Sequence, residues 1–334
     1  MSLAIQLAET GWLPLSLERI GIRRLLKART DMSYQGDAAY ADQLRAQPIA
    51  IEQQAANDQH YEVPAVFYEH VLGKHLKYSS AYYISDSQSL EEAEATMLEL
   101  SCERAELIDG QDILELGCGW GSLTCWMADH YPNSRITAVS NSASQKAHIE
   151  SRLKKLGRDN VTIVTADLAK WHTDQQFDRI VSVECFEHMR NYEQLFAKVR
   201  TWLRAEGQVF LHVFCHKTFG YLFEEEGEEN WMGRNFFTGG QMPSFNLFQQ
   251  FNNDLQVDQQ WEVNGSHYER TARDWRENLY KFRNNLETLF PNLPAAEQRR
   301  NYHRWRLFFL ACEETFGAAA GKEWFVGHYR LKPA

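Results

Sequence analysis

Two carboxylates and two imidazoles stand out by type and spacing. Glu184, Glu187 and His188 fall within five residues, and His212 follows near the end of the next apolar run. Crowded carboxylates raise one another's pKa and a neighbouring imidazole lowers them, so the set can bind a cation and take up a proton near neutral pH. The same residue types also build plain ion-pair networks. A metal site drawn from Glu184, Glu187, His188 and His212 is the competing reading, because two imidazoles and a carboxylate can hold iron. A second feature weighs against metal. The stretch Asp112-Ile113-Leu114-Glu115-Leu116-Gly117-Cys118-Gly119-Trp120-Gly121 is an apolar run bounded by an acid that leads into three glycines spaced two apart. Glycine is needed where backbone approaches a ligand closely or takes a positive φ. The pattern differs from the dinucleotide fingerprint G-x-G-x-x-G, since its third glycine comes one residue early and Ser122 stands where that fingerprint has Gly. A glycine turn of this kind argues for a diffusible cofactor, and no metal is expected.

These groups need a scaffold that brings them to one edge. Apolar runs at 112–117, 135–140, 161–166, 177–184, 208–214 and 255–263 read as strands, with a closing strand at 323–331. Helical patterns cover 90–107, with Ser89 as N-cap and Glu91 and Glu92 in its first turn, then 142–156, 191–204, 267–287 and 296–316. Strands alternating with helices specify a parallel sheet, whose ligands sit at the carboxyl ends of the strands. That edge carries Gly117 to Gly121, Ser140-Asn141-Ser142 with Gln145, Asp167, Glu184 to His188, and His212 followed by His216. Residues 1–88 read as an N-terminal helical segment covering the active site, and 89–334 as the core. Within that core, 216–254 is an insertion and 267–318 a helical cap. Residues 1–30 read as amphipathic helix broken at Pro14. Leu3, Leu7, Leu15, Ile20, Ile22, Leu25 and Leu26 would pack on the protein, with Arg19, Arg23, Arg24, Lys27 and Arg29 forming a solvated face. His60, in an aromatic stretch, reads as a capped loop histidine. The acidic run Glu224, Glu225, Glu226, Glu228 and Glu229 reads as a solvated face.

Bulk composition narrows the class. A chain of 334 residues with 44% hydrophobic and 24% charged content is globular. No apolar run reaches the length of a membrane span, and no signal-peptide pattern opens the chain. A net charge of −10 argues against a nucleic-acid partner and against docking to anionic lipid. The six cysteines form no C-x-x-C and read as reduced thiols, which points to the cytoplasm. Ten tryptophans and an aromatic content of 13% could line a pocket for a bulky or cationic ligand.

At this level the chain resembles the cyclopropane-fatty-acid synthase-like methyltransferases, and within them the plant coclaurine-type (benzylisoquinoline alkaloid) N-methyltransferases. The matching stretches are Tyr78-Ser79, 115–121, 139–145, 183–189, 214–219, 236–240, Met242-Pro243 and 261–265. The resemblance implies a Rossmann-like class I methyltransferase sheet, mostly parallel with an antiparallel closing strand. It implies S-adenosylmethionine (SAM) as cofactor, contacted by Tyr78, Ser79, Gly117, Gly119, Asn141, Gln145, Asp167, Leu168 and Val183. Glu115, Cys118 and Gly121 complete the cofactor motif. Many SAM enzymes place an acid after the second strand for the ribose; here Asn141 and Gln145 would bind it by neutral hydrogen bonds, and Asp167 would accept from the adenine amino group. The synthases hold a bicarbonate base using a Cys after Tyr-Ser together with the counterparts of Glu187 and His212. This chain has Ser80 at the Cys position, and Glu184 where the synthases carry a small residue.

Both departures point to N-methylation of a small or medium-sized amine, aromatic in character, with Tyr78, Tyr82 and Phe237 as pocket walls. The catalytic set is Glu184, Glu187, His188 and His212, and activity is expected to rise with pH through the ionisation of the proton acceptor. The alternative is a lipid-modifying enzyme acting on an acyl double bond. No stable membrane insertion is expected, and a homodimer is left open.

Overall fold

The computed structural model describes residues 3–51, 63–224, 226–227 and 230–334. His60, Glu225, Glu228 and Glu229 lie outside the described residues. Among the described residues there are nine strands: β1 Asp112–Leu116, β2 Arg135–Ser140, β3 Val161–Thr165, β4 Phe177–Val183, β5 Leu203–His216, β6 Tyr221–Leu222, β7 Gln241–Met242, β8 Leu255–Val263 and β9 Trp324–Pro333. Seven form one sheet in the order β3-β2-β1-β4-β5-β9-β8, and β6 and β7 pair separately. β1 is buried along its length except at Asp112, as a central parallel strand covered on both faces must be. β9 runs antiparallel between β5 and β8, so the sheet is mostly parallel with one reversed closing strand.

Register aligns the site. Leu116 lies opposite both Val139 and Ser182, and Val183 lies opposite His212. The glycine turn, Ser140 and Glu184 therefore leave the sheet at one edge. Helix Leu90–Arg104 starts on a capping box, in which Ser89 and Glu92 satisfy each other's backbone N–H. Helix Ala143–Leu156 starts on Ser142, which accepts from the Gln145 N–H, and stops at left-handed Gly157.

Several elements depart from the sequence reading. The helix expected over 191–204 spans Tyr192–Thr201, and β5 starts early, at Leu203. Trp202 and Leu203 are wholly buried, and Arg204 reaches Asp112 at 2.6 Å and Asp178 at 2.5 Å, so tertiary contacts override local helix preference. The helix expected over 267–287 ends at Lys281, with a short helix Leu286–Leu289 following. At the N-terminus the amphipathic reading is partly inverted. Ile22 and Leu26 pack on the core, whereas Leu3, Leu15, Ile20 and Leu25 are exposed. Arg19 and Arg23 reach Glu314, and Arg19 also bonds Glu313 at 2.7 Å. Glu18 and Arg306 pair at 2.6 Å and Glu9 and Arg304 at 3.1 Å. Helices Leu3–Glu9 and Leu15–Thr30 are thus fastened to cap helix Ala295–Gly317 by charge as well as by apolar area.

The cap meets the closing strand at Gly265. A Cβ there would lie 2.1 Å from the Trp324 carbonyl oxygen and 2.5 Å from that of Phe316, both backbone and unable to yield cheaply. Gly265→Ala is expected to lower stability by about 1–3 kcal/mol in urea unfolding, as overpacking does. Gly21→Ala, mid-helix with nothing within 4 Å of the new methyl, should raise it by roughly 0.5–1 kcal/mol.

Candidate active site

β4 ends at Val183, and Glu184 turns the chain with φ of 45°, a left-handed conformation unusual for a long side chain. Its N–H donates to the His212 carbonyl at 2.8 Å, which pins the turn to β5. Glu184 Oε1 accepts from the Ser80 N–H at 3.1 Å and lies 3.2 Å from His212 Nε2, and Oε2 accepts from the Tyr268 hydroxyl at 2.6 Å. Burial raises its carboxyl to about 7, opposed by the Lys77 charge and by the bonds from Tyr268 and Ser80. Lys77 is itself buried and donates to Ser79 Oγ at 2.5 Å. Burial pushes its ammonium down to about 8, against the attraction of Glu184 and Glu94.

Glu187 follows in the short turn Phe186–His188 and is wholly buried. Its Oε1 accepts from the Phe214 N–H at 2.8 Å, while Oε2 has no hydrogen-bond partner among the described residues. Burial, reinforced by the neighbouring Glu184 charge, raises this carboxyl well above the ordinary range. The His188 ring stacks on Phe237 of the 216–254 insertion at 6.0 Å, and burial lowers it to about 4. His212 is wholly buried and held far below its ordinary value by burial and by the Lys77 and Arg104 charges. His216 stands apart: it bonds Glu323 at 3.0 Å and accepts from the Thr218 and Phe219 N–H groups, a structural role.

Gly117, Gly119 and Gly121 all take positive φ, but for different reasons. A Cβ at Gly117 would strike Cys185 Sγ at 2.5 Å, and one at Gly121 would strike Ile149 at 2.6 Å. At Gly119 a Cβ would meet nothing within 4 Å, so the middle glycine faces open space beside the sheet edge. Cys118 is buried among Leu98, Leu123 and Ile149, so only its backbone belongs to the turn. Glu115 is also buried and accepts from the Thr124 hydroxyl at 2.5 Å, bracing β1 to the following helix. Gln145 accepts from Ser140 Oγ at 2.7 Å, and its buried Nε2 has no partner among the described residues. Asn141 and Val183 are half-buried at the same edge. Asp167 bonds the Ala169 N–H and Lys170, with Leu168 buried beneath it. Tyr78 lies 5.3 Å from Tyr68, 5.6 Å from Trp275 and 6.2 Å from Trp305, forming an aromatic wall, and Ser79 is buried behind it. Tyr82 stacks on His267 at 4.1 Å.

Several working residues left no readable signal. Lys77 directly precedes Tyr78-Ser79 and could have been noticed as a charge inside an aromatic stretch. Glu94, wholly buried in a helix, accepts from the N–H groups of Gly73, His75 and Lys77 and so shapes the loop that carries Tyr78. Tyr268 comes from the cap, and nothing local marks it. A cleft of about 780 Å³ between Arg19, Arg23, Glu313, Glu314 and Trp324 touches none of the site. Among the described residues no cluster of three or more His, Cys, Asp and Glu could hold a metal ion, and no helix is long and apolar enough to cross a membrane.

Residues 50–322 match the family model described as mycolic acid cyclopropane synthetase. The chain belongs to that family. Members of the mycolic acid cyclopropane synthetase family differ in chemistry, and the similarities are graded. An (S)-coclaurine N-methyltransferase of Thalictrum flavum subsp. glaucum is 40% identical over 294 residues, 86% of this chain and 81% of that protein. A crystal structure of coclaurine N-methyltransferase bound to N-methylheliamine and SAH matches with a TM-score of 0.93 at 36% identity, covering 98% of each chain. A cyclopropane-fatty-acyl-phospholipid synthase of Escherichia coli (strain K12) is 30% identical over 270 residues, 80% of this chain and 66% of that protein.

The open space at Gly119 and the orphaned donor of Gln145 fit a small polar cofactor lying along this edge. Gly119→Val is expected to abolish SAM binding in calorimetry, and the left-handed φ of 51° should also cost about 1–2 kcal/mol of stability while leaving the chain folded. Retained SAM affinity, or binding of NAD instead, would contradict this placement.

Proposed function

We propose that this chain is a SAM-dependent N-methyltransferase for a small or medium-sized aromatic amine. The observation that carries the reading is the placement of Glu184. Its carboxylate already takes the Ser80 N–H, His212 and Tyr268, and Ser80 and His212 are the positions that the resemblance would use to hold a bicarbonate. A fixed protein carboxylate there, beside the unpartnered oxygen of Glu187, suits attraction of an ammonium better than attack on an acyl double bond. In this reading Tyr78, Ser79, Gly117, Gly119, Asn141, Gln145, Asp167, Leu168 and Val183 contact SAM. Glu115, Cys118 and Gly121 hold the turn in shape. The six cysteines are free and five are buried, which supports a reducing, cytoplasmic setting.

Bound at this edge, SAM supplies an electrophilic methyl group on a sulfonium sulfur. The chain's own work is to deliver a neutral nitrogen. An ammonium has no lone pair, so a substrate that arrives as the cation must be held, deprotonated and aligned. Glu184 supplies a fixed negative charge, and Glu187 Oε2 supplies a buried acceptor for the proton. His188, flat against Phe237, borders the space where the amine sits. Tyr78 and the insertion aromatics exclude water and align the nitrogen, and alignment of this kind can remove much of the barrier to a displacement.

Both carboxyls are raised by burial, so they act as anions only above their raised values. Amine turnover should therefore fall as pH drops through neutrality. His188, lowered to about 4, stays neutral across that range and does not set this limb. The acidic limb expected from the proton acceptor thus belongs to the carboxylates. Glu184→Gln is expected to cut kcat/KM for amines on the order of 100-fold while leaving SAM affinity unchanged. His188→Ala should lower the height of the profile without moving its acidic limb. The reading itself is tested by mass spectrometry of methyl-labelled SAM turnover against panels of amines and unsaturated phospholipids. Methylated amines are expected, and label found only in acyl chains would overturn it.

A further inference from the structure

Behind Glu184 runs a buried chain of hydrogen bonds that the proposed chemistry does not itself require. His212 in β5 and His328 in β9 are direct cross-strand partners, both wholly buried. His328 Nε2 lies 2.9 Å from His212 Nδ1, and His328 Nδ1 lies 2.8 Å from an Arg104 guanidinium nitrogen. Arg104, the last residue of helix Leu90–Arg104, is half-buried with its guanidinium 5.0 Å from the Trp261 ring centre.

The donor inventory of these groups leaves one arrangement. A guanidinium has five N–H donors and no acceptor. His328 Nδ1 facing it must therefore be bare, which puts the His328 proton on Nε2. That proton points at His212 Nδ1, which must also be bare, so the His212 proton sits on Nε2 and points at Glu184 Oε1. We propose that Arg104 and His328 are positioning residues that lock His212 as a neutral Nε2–H donor, and so hold Glu184 as an aligned carboxylate. This inference rests on the N-methyltransferase reading for its catalytic consequence, but not for its hydrogen-bond pattern.

The chain is a lock rather than a proton wire. A proton passed from Glu184 to His212 would need Nδ1 to donate onto His328 Nε2, which would turn a second proton onto His328 Nδ1 against Arg104. Two donors would then face each other in a buried site. The proton released by the amine is thereby kept from His212 and left to Glu187. The low affinity of both buried imidazoles for a second proton agrees with this pattern. Groups facing Glu184 from the surrounding elements are Lys77 and the Ser80 N–H, Tyr268, Cys312, Glu187 and His188. Lys77 and Arg104 face the two imidazoles, and Phe210 packs edge-on against His328.

The test uses full-length protein with nitrogen-15-labelled histidine. Ring nitrogen shifts should show His212 and His328 as neutral Nε2–H forms from about pH 6 to about pH 8, a range in which ordinary imidazoles titrate. Arg104→Met, at a half-buried helix end, should give mixed tautomers at both rings. It should also move the acidic limb of amine methylation up by about one pH unit, since a donor to the Glu184 anion has been weakened. His328→Leu should move the limb likewise and give mixed tautomers at His212. His328→Gln, whose amide can accept from Arg104 and donate to His212, should restore the wild-type profile. Should His328→Leu fail to fold, Arg104→Met and His328→Gln carry the test. A His212 protonated on Nδ1 in the wild type, or an acidic limb unmoved by Arg104→Met, would overturn the proposal. Wild-type protein that methylates no amine while showing the two Nε2–H rings would overturn the functional reading and leave the lock standing.

Discussion

The structure turns on a buried carboxylate that three distant pieces of chain must reach. Glu184 is held by a backbone N–H from the N-terminal segment, an imidazole from the sheet, a hydroxyl from the cap and the field of Lys77. Removing a carboxylate from water is costly unless its lone pairs are satisfied. Here three donors meet two oxygens. A left-handed backbone at a residue of this size costs about 1–2 kcal/mol. Hydrogen bonds to a charged group contribute about 1.5–3 kcal/mol each, enough to hold that backbone in place. The site is therefore complete only when the N-terminal segment and the cap are both docked on the sheet. The charged pairs joining Glu9, Glu18, Arg19 and Arg23 to the cap helix help to secure that docking.

Two glycine-dependent contacts and one glycine-dependent opening shape the neighbouring edge. Gly117 lets the turn pass Cys185, and Gly121 lets helix Ser122–His130 sit against Ile149, so both serve the protein's own packing. Gly119 keeps a space clear instead. The cofactor motif is thus a mixture of packing and recognition. Its most motif-like side chains, Glu115 and Cys118, point into the core. Glu187 and Gln145 carry the complementary signal, since each presents a buried polar atom that none of the described residues satisfies. Such atoms are costly to leave unmade, and their presence beyond the carboxyl ends of β2 and β4 is the physical mark of a site shaped for ligands.

How much of this could be read from the chain depends on how local each cause is. Strands β1 and β2 and helix Ala143–Leu156 were legible because apolar runs, caps and glycines act within a few residues. The Phe186-Glu187-His188 turn was legible because its chemistry lies within five residues of Glu184. The start of β5 was hidden, since Arg204 joins Asp112 and Asp178 from far along the chain. Arg19 looked solvated because its partners lie nearly three hundred residues away, in the cap. Tyr268, His328 and Arg104 were silent for the same reason: each is ordinary in its own segment and acquires a role only through a cross-strand or cap contact. His212 was seen as a candidate, but its part as a donor to Glu184 depends on a partner in β9.

The central claim is that the Glu184 and Glu187 carboxylates make this a site for cations. It is tested most directly with ligands that cannot lose a proton. Calorimetry on SAH-saturated enzyme would compare an aryl-alkyl trimethylammonium with its neutral tert-butyl isostere, in wild type and in the Glu184→Gln/Glu187→Gln double variant. The cation should bind wild type at least about tenfold more tightly than the isostere, as expected for a charge held among buried carboxylates and aromatic rings. That preference should vanish in the double variant. Equal affinities for the two ligands in wild type would contradict the claim.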